Sequence, residues 1–106
     1  MIHKTAIIDP LAELDPEVEI GPYVVIEGRV TIDKGTSVGA YTFIEGPTTI
    51  GKNCTIYNHV SLGRKPQAPR YNAENTQLVI GDGNIFREFV TVHRNERRWR
   101  ADGYRK

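Results

Sequence analysis

Side chains with catalytic potential are few and widely separated in this chain of 106 residues. The three histidines, His3, His59 and His93, lack the close paired spacing that is typical of zinc ligands. The single cysteine, Cys54, has no basic partner beside it to stabilise a thiolate. A zinc enzyme and a cysteine nucleophile are therefore disfavoured. We interpret His59 as structural and Cys54 as a buried, inert filler, and we assign no role to His3.

A second group of candidate residues lies in the proline-containing segment 64–79. The guanidinium of Arg70 could pair with an anionic group such as a phosphate, and the ring of Tyr71 could pack on a ligand. Long loops inside compact folds are usually functional, which favours this interpretation. The alternative is an ordinary solvated loop anchored by its tyrosine.

Composition excludes several classes of protein. Lys and Arg number 14 and Asp and Glu number 13, so the net charge is only +1, whereas a nucleic-acid-binding protein normally has a clear basic excess. No apolar run approaches the roughly 20 residues that cross a bilayer, and the N-terminus has no apolar core typical of a secretory signal. One cysteine suits a reducing cytosol. The length predicts a single domain, residues 1–106.

The elements that must position these side chains follow from a hexapeptide repeat. Branched aliphatic residues occupy every sixth position: Ile2, Ile8, Leu14, Ile20, Ile26, Ile32, Val38, Ile44, Ile50, Ile56 and Leu62. Two positions before each of them stands a small or β-branched residue: Ala6, Ala12, Val18, Val24, Val30, Thr36, Thr42, Thr48, Cys54 and Val60. Both columns are predicted to point into the core.

A period of six does not fit an α-helix, where apolar residues recur about every 3.6 positions. It does fit short strands, since alternate residues share a face, with a bend after each strand. Three strands and three bends make a coil of about 18 residues, and successive coils pair in parallel. The sequence therefore predicts an all-β parallel β-helix shaped as a three-sided prism.

The repeat breaks once. Segment 64–79 has no aliphatic residue at the expected positions, and the pattern resumes at Ile80, Phe86 and Val92. We predict a loop excursion over 64–79, about one coil long, that leaves a corner of the prism. The charged tail around Arg97–Arg100 lacks the repeat and is predicted to be a coil without continuation.

The second half of the sequence resembles one branch of the hexapeptide-repeat acyltransferases. The pattern [LIV]-G-x-x-x-x is typical of that superfamily as a whole. The stretches IYNHVSLG, PQAPRY and NAENTQLVIGDGNIFREFVTVHR are together similar to UDP-N-acetylglucosamine O-acyltransferases, most specifically between residues 56 and 94. The resemblance implies that the β-helix is left-handed, a hand that general crossover rules would not predict.

The resemblance also implies an activity. Such enzymes move a 3-hydroxyacyl group from acyl carrier protein to the 3-position of UDP-N-acetylglucosamine, the first step of lipid A biosynthesis. A histidine is the general base, a role that suits its pKa, and neither a cofactor nor a metal is implied. The acceptor is an oxygen or, in some members, a nitrogen, and the sequence leaves this open. The implied enzyme is a cytoplasmic homotrimer with sites between adjacent prisms.

The resemblance implies roles for specific residues. Four are implied to bind substrate: Gln67, Arg70, Tyr71 and His93. Ala68 stands where the family usually has an acidic residue, which leaves the substrate's identity open. Arg87 and Glu88 are predicted either to pair across subunits or orient the loop, or to form an ordinary surface ion pair.

No catalytic residue is assigned within the chain, because the resemblance places the general-base histidine and a C-terminal helical domain beyond Lys106. We therefore interpret the chain as the N-terminal part of a longer enzyme and expect it to be inactive alone. Two alternatives stay open. One is a non-catalytic β-helix scaffold, and the other is a different hexapeptide-repeat sugar acyltransferase.

Overall fold

The computed structural model describes residues 1–64 and 76–94, together with the strands at 98–100 and 103–105. These residues form strands and no helix. In chain order the strands are β1 (Ile7–Ile8), β2 (Glu13–Leu14), β3 (Glu19–Ile20), β4 (Val25–Glu27), β5 (Val30–Ile32), β6 (Ser37–Val38), β7 (Phe43–Glu45), β8 (Thr48–Ile50), β9 (Thr55–Ile56), β10 (Ser61–Arg64), β11 (Leu78–Ile80), β12 (Ile85–Phe86), β13 (Thr91–His93), β14 (Arg98–Arg100) and β15 (Gly103–Arg105). Within the described ranges, no helix is therefore long and apolar enough to cross a membrane.

Every third strand joins the same sheet, so the chain winds around a three-sided prism. Sheet 1 has the order β1-β4-β7-β10-β13, sheet 2 has β2-β5-β8-β11-β14-β15, and sheet 3 has β3-β6-β9-β12. Neighbouring strands of successive coils are parallel. Ile26 pairs with Ile44, and Val38 pairs with Ile56, so each partner lies three hexapeptides further along the chain. The predicted parallel β-helix with three hexapeptides per coil is confirmed.

Both predicted columns form the core. From Ile20 to Leu62 every member of the aliphatic column is buried, and Phe86 and Val92 continue it. The first coil differs, because Ile8 and Leu14 are only partly buried and Ile2 is 48% exposed. Ile2 still belongs to the inward column, because it pairs in register with the buried Ile20. Ile2 pairs with Ile20 in the coil above, but no strand of the described chain lies below it.

Threonine is tolerated in the small inward column because its hydroxyl bonds to backbone groups inside the prism. Thr36 Oγ1 donates to the carbonyl of Gly51 at 2.7 Å and accepts from the N–H of Cys54 at 3.0 Å. Thr42 repeats the arrangement with the carbonyl of Tyr57 and the N–H of Val60. Each hydroxyl therefore donates one hydrogen bond and accepts another from a backbone N–H, which removes the usual cost of burying a polar group.

Cys54 is a buried member of the same column, as predicted. Burial raises the pKa of its thiol, against weaker opposing contributions from hydrogen bonds. A thiol that resists ionisation is a poor nucleophile, because the thiolate is the reactive form. Cys54 is thus a small packing residue.

One corner of the prism carries a row of stacked rings. Tyr23, Tyr41, His59 and Phe89 all adopt positive φ, between 57° and 65°, at the turns from sheet 3 into sheet 1. Their neighbouring ring centroids are 5.2, 5.0 and 5.4 Å apart, and the rings are nearly parallel. His59 lies between Tyr41 and Phe89, which confirms its structural interpretation. The stack recurs because the same turn recurs once per coil.

The insertion is shorter than the sequence suggested. Ile32 pairs with Ile50, but Ile50 pairs with Ile80, so this coil takes five hexapeptides where its predecessors take three. The excess is two hexapeptides and not a whole coil, which corrects the predicted length. At its borders Arg64 ends β10, while Leu78 and Val79 already belong to β11. Residues 65–75 lie outside the described part of the chain.

The charged tail adds to sheet 2. Strand β14 pairs in parallel with β11, where the next coil is expected, and β15 returns antiparallel to β14. The antiparallel turn departs from the parallel winding of every preceding coil. The tail thus contains strands although it lacks the hexapeptide pattern.

Candidate active site

The candidate site lies where sheet 1 meets the corner that the insertion leaves. Strand β13 ends at His93, with Thr91 exposed, Val92 buried and His93 half-buried, as strand alternation requires. Among the described residues, the imidazole of His93 has no hydrogen-bond partner. Within that part of the chain, the half-buried ring forms no polar contact of its own.

A backbone irregularity next to His93 marks the departure of the insertion. Leu62 pairs with Val92, but Arg64 and not Gly63 pairs with His93, so Gly63 is an extra residue in β10. Gly63 is buried with φ at 77°, and a Cβ there would lie 2.0 Å from the carbonyl oxygen of Glu45. Only glycine fits this conformation and this close approach. The bulge thereby places Arg64 beside His93.

The insertion leaves and rejoins the prism at one corner. Gly63 packs against Glu45 and Thr48 in the coil below, and the N–H of Leu78 donates to the carbonyl of Pro47 at 3.1 Å. Both ends of the excursion therefore lie over the turn between β7 and β8. The first of these ends, Arg64, also pairs with His93.

A buried arginine lies at this corner. Arg94 is 5% exposed, and its Nη1 donates to the carbonyl oxygen of Gly46. Its Nη2 is 3.5 Å from Oε2 of Glu45, and its backbone N–H donates to the carbonyl of Arg64 at 2.9 Å. A buried charge is normally paired, and Glu45 supplies the partner.

Glu45 is shared between two arginines. Nε of Arg64 lies 4.0 Å from Oε1 of Glu45, and the guanidinium of Arg64 stands 5.0 Å from the ring centroid of Phe43. The Arg64 side chain is 50% exposed, so part of its guanidinium faces outward. Two arginines, Arg64 and Arg94, thus share the carboxylate of Glu45 beside His93. An arginine that packs over an aromatic ring is suited to binding phosphate or carboxylate groups.

Sequence reasoning found only one member of this cluster, His93. Glu45, Gly63, Arg64 and Arg94 were not predicted as site residues. One signal was present in the sequence. Arg94 stands two positions after the inward Val92, so strand alternation predicts that it also points inward, and the equivalent position after Ile44 is occupied by Gly46. A charged residue at such a position indicates a departure from the repeat.

The other predicted binding residues cannot be placed beside His93. Gln67, Arg70 and Tyr71, and with them Ala68, lie outside the described residues, so their roles stay predictions. Their segment begins immediately after Arg64.

Arg87 and Glu88 form an exposed ion pair between sequence neighbours. Nε of Arg87 is 3.2 Å from Oε1 of Glu88, and the Arg87 guanidinium lies 4.5 Å from the ring centroid of Tyr57. The N–H of Glu88 itself and the side chain of Arg87 lower the pKa of the Glu88 carboxyl. Exposed pairs of this kind contribute little to stability.

Among the residues that the structure describes, no group of three or more His, Cys, Asp or Glu could hold a metal ion.

Comparisons with known proteins agree with the repeat and the fold. The bacterial transferase hexapeptide family matches residues 29–64. An acyl-[acyl-carrier-protein]–UDP-N-acetylglucosamine O-acyltransferase of Thermodesulfovibrio yellowstonii is 50% identical over 93 residues, which is 88% of this chain and 36% of that protein. The same-named protein of Herminiimonas arsenicoxydans is 54% identical over the same shares. The chain thus spans about a third of the length of the curated relatives it matches.

Solved structures give the same result. The UDP-N-acetylglucosamine acyltransferase of Francisella novicida superposes with a TM-score of 0.83 at 36% identity, covering 89% of this chain and 34% of that one. The O-acyltransferase of Moraxella catarrhalis has a TM-score of 0.83 at 39% identity, covering 87% and 36%. These matches confirm the predicted all-β, left-handed parallel β-helix. The chain is a hexapeptide-repeat sequence that resembles, over most of its own length, about a third of a UDP-N-acetylglucosamine O-acyltransferase.

Proposed function

We propose that this chain forms part of an enzyme that transfers a 3-hydroxyacyl group from acyl carrier protein to the 3-position of UDP-N-acetylglucosamine, the first step of lipid A biosynthesis. The observation that carries the proposal is the 50% identity over 93 residues to a protein of that name. The position of His93 beside two arginines supports it, because guanidinium groups are suited to binding phosphate.

The charge of the site suits a sugar nucleotide. UDP-N-acetylglucosamine carries a diphosphate, and Arg64 offers a half-exposed guanidinium that Phe43 and Glu45 already hold in place. Holding the side chain before binding lowers the entropy that is lost when the phosphate pairs with it. In the proposal, His93 contacts the same ligand, and Gln67, Arg70 and Tyr71 contact it from the insertion.

The reaction needs a proton acceptor and a leaving thiol. The sugar hydroxyl loses its proton to a general base, and its oxygen attacks the thioester carbonyl carbon. The new C–O bond forms as the C–S bond breaks, and the thiolate of acyl carrier protein takes up the proton. The residues of this chain bind and orient the acceptor, and the proposal places no general base among residues 1–106.

The proposal includes a cytoplasmic homotrimer with sites at subunit boundaries. The outer face of sheet 1 supports the trimer. Its outward row includes Ile7, which is 65% exposed, followed by half-buried Val25 and Phe43. The outward row of sheet 2 has polar Glu13 and Thr31 in the first coils instead. An apolar row of this kind is typical of a surface that another subunit covers. Because His93 ends the last strand of sheet 1, such a contact would enclose it.

The test is an acyl-transfer assay on the gene product that carries this sequence. Purified 3-hydroxyacyl carrier protein and UDP-N-acetylglucosamine are mixed with it, and free thiol and acylated sugar nucleotide are measured together. We expect both to appear in equal amounts, and we expect R64M to raise KM for the sugar nucleotide more than KM for the acyl donor. A folded protein that neither binds UDP-N-acetylglucosamine nor releases thiol would refute the proposal and favour a non-catalytic scaffold.

A further inference from the structure

The position of Arg94 in the fold assigns it a task that simple packing does not explain. Strand β10 lies between β7 and β13 in sheet 1, so Glu45 and Gly46 are two coils below Arg94. Adjacent strands are about 4.8 Å apart, which makes the distance to be crossed about 10 Å. The side chain of Arg94 therefore passes the intervening coil, that of β10. It does so at the corner where the chain of that coil leaves the prism as the insertion.

We propose that Arg94 is a positioning residue that spans this missing corner and fixes His93 and Arg64 relative to Glu45. Its backbone N–H holds the carbonyl of Arg64, and its guanidinium holds the carbonyl of Gly46 and the carboxylate of Glu45. Glu45 in turn contacts Arg64. The side chain of Arg64 and the main chain that carries His93 are thereby fixed to one carboxylate and one carbonyl.

The cost of burying Arg94 argues against a packing role. An apolar side chain would fill the corner without losing the hydration of a charge. Moreover, Nε of Arg94 is buried without a hydrogen-bond partner among the described atoms, which adds to the cost. The arginine is explained by what its two terminal nitrogens hold, because only a fork of donors binds a carboxylate and a carbonyl together.

The functional consequence rests on the proposed function, in which His93 and Arg64 bind the sugar nucleotide. Loosening the corner would let both side chains shift. A displacement of about 1 Å at a site can cost on the order of 100-fold in rate. We expect R94M to lower kcat/KM for UDP-N-acetylglucosamine by about that factor in the gene product that carries this sequence. R94K should recover part of the loss, because it restores one charged donor, and KM for the acyl donor should not change.

A second measurement tests the positioning of His93 without requiring activity. Diethyl pyrocarbonate acylates accessible imidazoles, and mass spectrometry of the peptides gives a separate rate for each histidine. We expect R94M and E45Q to change the rate at His93 severalfold and to leave His3 and His59 unchanged. R29M is the matched control, since Arg29 is an exposed arginine at the same corner one coil below Gly46.

The outcomes separate the two proposals. If the unmodified protein shows no acyl transfer, the proposed function fails, but the rates at His93 still decide the role of Arg94. A folded R94M with an unchanged rate at His93 would overturn that role. Should R94M fail to fold, E45Q decides, because the Glu45 side chain is 22% exposed and its amide keeps the shape of the acid. An unchanged His93 rate in E45Q would equally overturn the proposal.

Discussion

The glycine at the start of the insertion gives the sharpest test of how this corner is built. We predict that G63A destabilises the fold by two separable effects. The first is backbone strain, since alanine at a φ of 77° costs about 1–2 kcal/mol relative to its usual conformation. The second is overlap, because the new Cβ would lie 2.0 Å from a backbone oxygen and 2.4 Å from Oγ1 of Thr48.

The overlap cannot be relieved by rotating a flexible side chain, because the oxygen belongs to the main chain of Glu45. The backbone of β7 or β10 must move instead, and overpacking of this kind costs about 1–3 kcal/mol. Together the two effects amount to about 3 kcal/mol. For a domain of this size that corresponds to a fall in Tm of about 10–20 °C.

Gly83 is a natural control for the strain alone. Its φ is 72°, close to that of Gly63, but a Cβ there would meet nothing within 4 Å. G83A should therefore cost only the strain, about 1–2 kcal/mol. Urea denaturation of both variants, followed by circular dichroism, gives the midpoints, and equal m-values would show that the unfolding transition is unchanged. If G63A is no less stable than G83A, the close approach of Gly63 to Glu45 is refuted.

Three further predictions follow from the core and the first coil. I44A should destabilise the fold by about 2–5 kcal/mol and I2A by much less, because Ile44 is fully buried whereas Ile2 is 48% exposed. Denaturation midpoints of the two variants measure the difference. Similar losses of stability in both would contradict the stacked core. Cys54 should react with a thiol reagent at about pH 8 only as fast as the protein opens, since burial raises its pKa; labelling at the rate of a free thiol in the native state would show that it is accessible. The N–H groups of Leu11 and Gly28 hold the pKa of Asp9 below its usual value near 3.8, so its stabilising contribution is present above that pH and is lost as the pH falls further. D9N should flatten the pH dependence of stability in that acidic range, and an unchanged profile would mean that these bonds are absent in solution.

The prism was predictable from the sequence because its causes are local and repeated. Each coil needs the same inward pair, such as Val24 and Ile26, so the pattern is present many times over. The left-handed winding was not predictable from composition, since the aliphatic columns would fit either hand; only the resemblance indicated it. Threonine in the small column was correctly placed, but its hydrogen bonds to the neighbouring coil become visible only once the coils are stacked.

The site was much less predictable, and the reason is register. To predict that Arg94 meets Glu45 and Gly46, one must know that the insertion adds two hexapeptides and that Gly63 shifts the pairing by one position. Neither fact can be read from residues 64–79, where the hexapeptide pattern is lost. A contact between two residues as distant in sequence as Arg94 and Gly46 depends on the exact count of everything between them.

The insertion and the charged cluster occur together for a physical reason. A complete coil fills its interior with side chains from both columns, and small hydroxyls such as those of Thr36 and Thr42 bind the carbonyls that face inward, so a guanidinium has no space there. Where the chain leaves the prism at Arg64, one corner is missing, and the carbonyl of Gly46 in the coil below becomes available to a side chain from above. An inward arginine can then be buried and paired, next to the half-buried His93 on an otherwise regular face. An interrupted coil thus gives a repetitive scaffold one position at which its side chains can differ from the repeat, and a binding site that must be unique within the prism is expected at such an interruption.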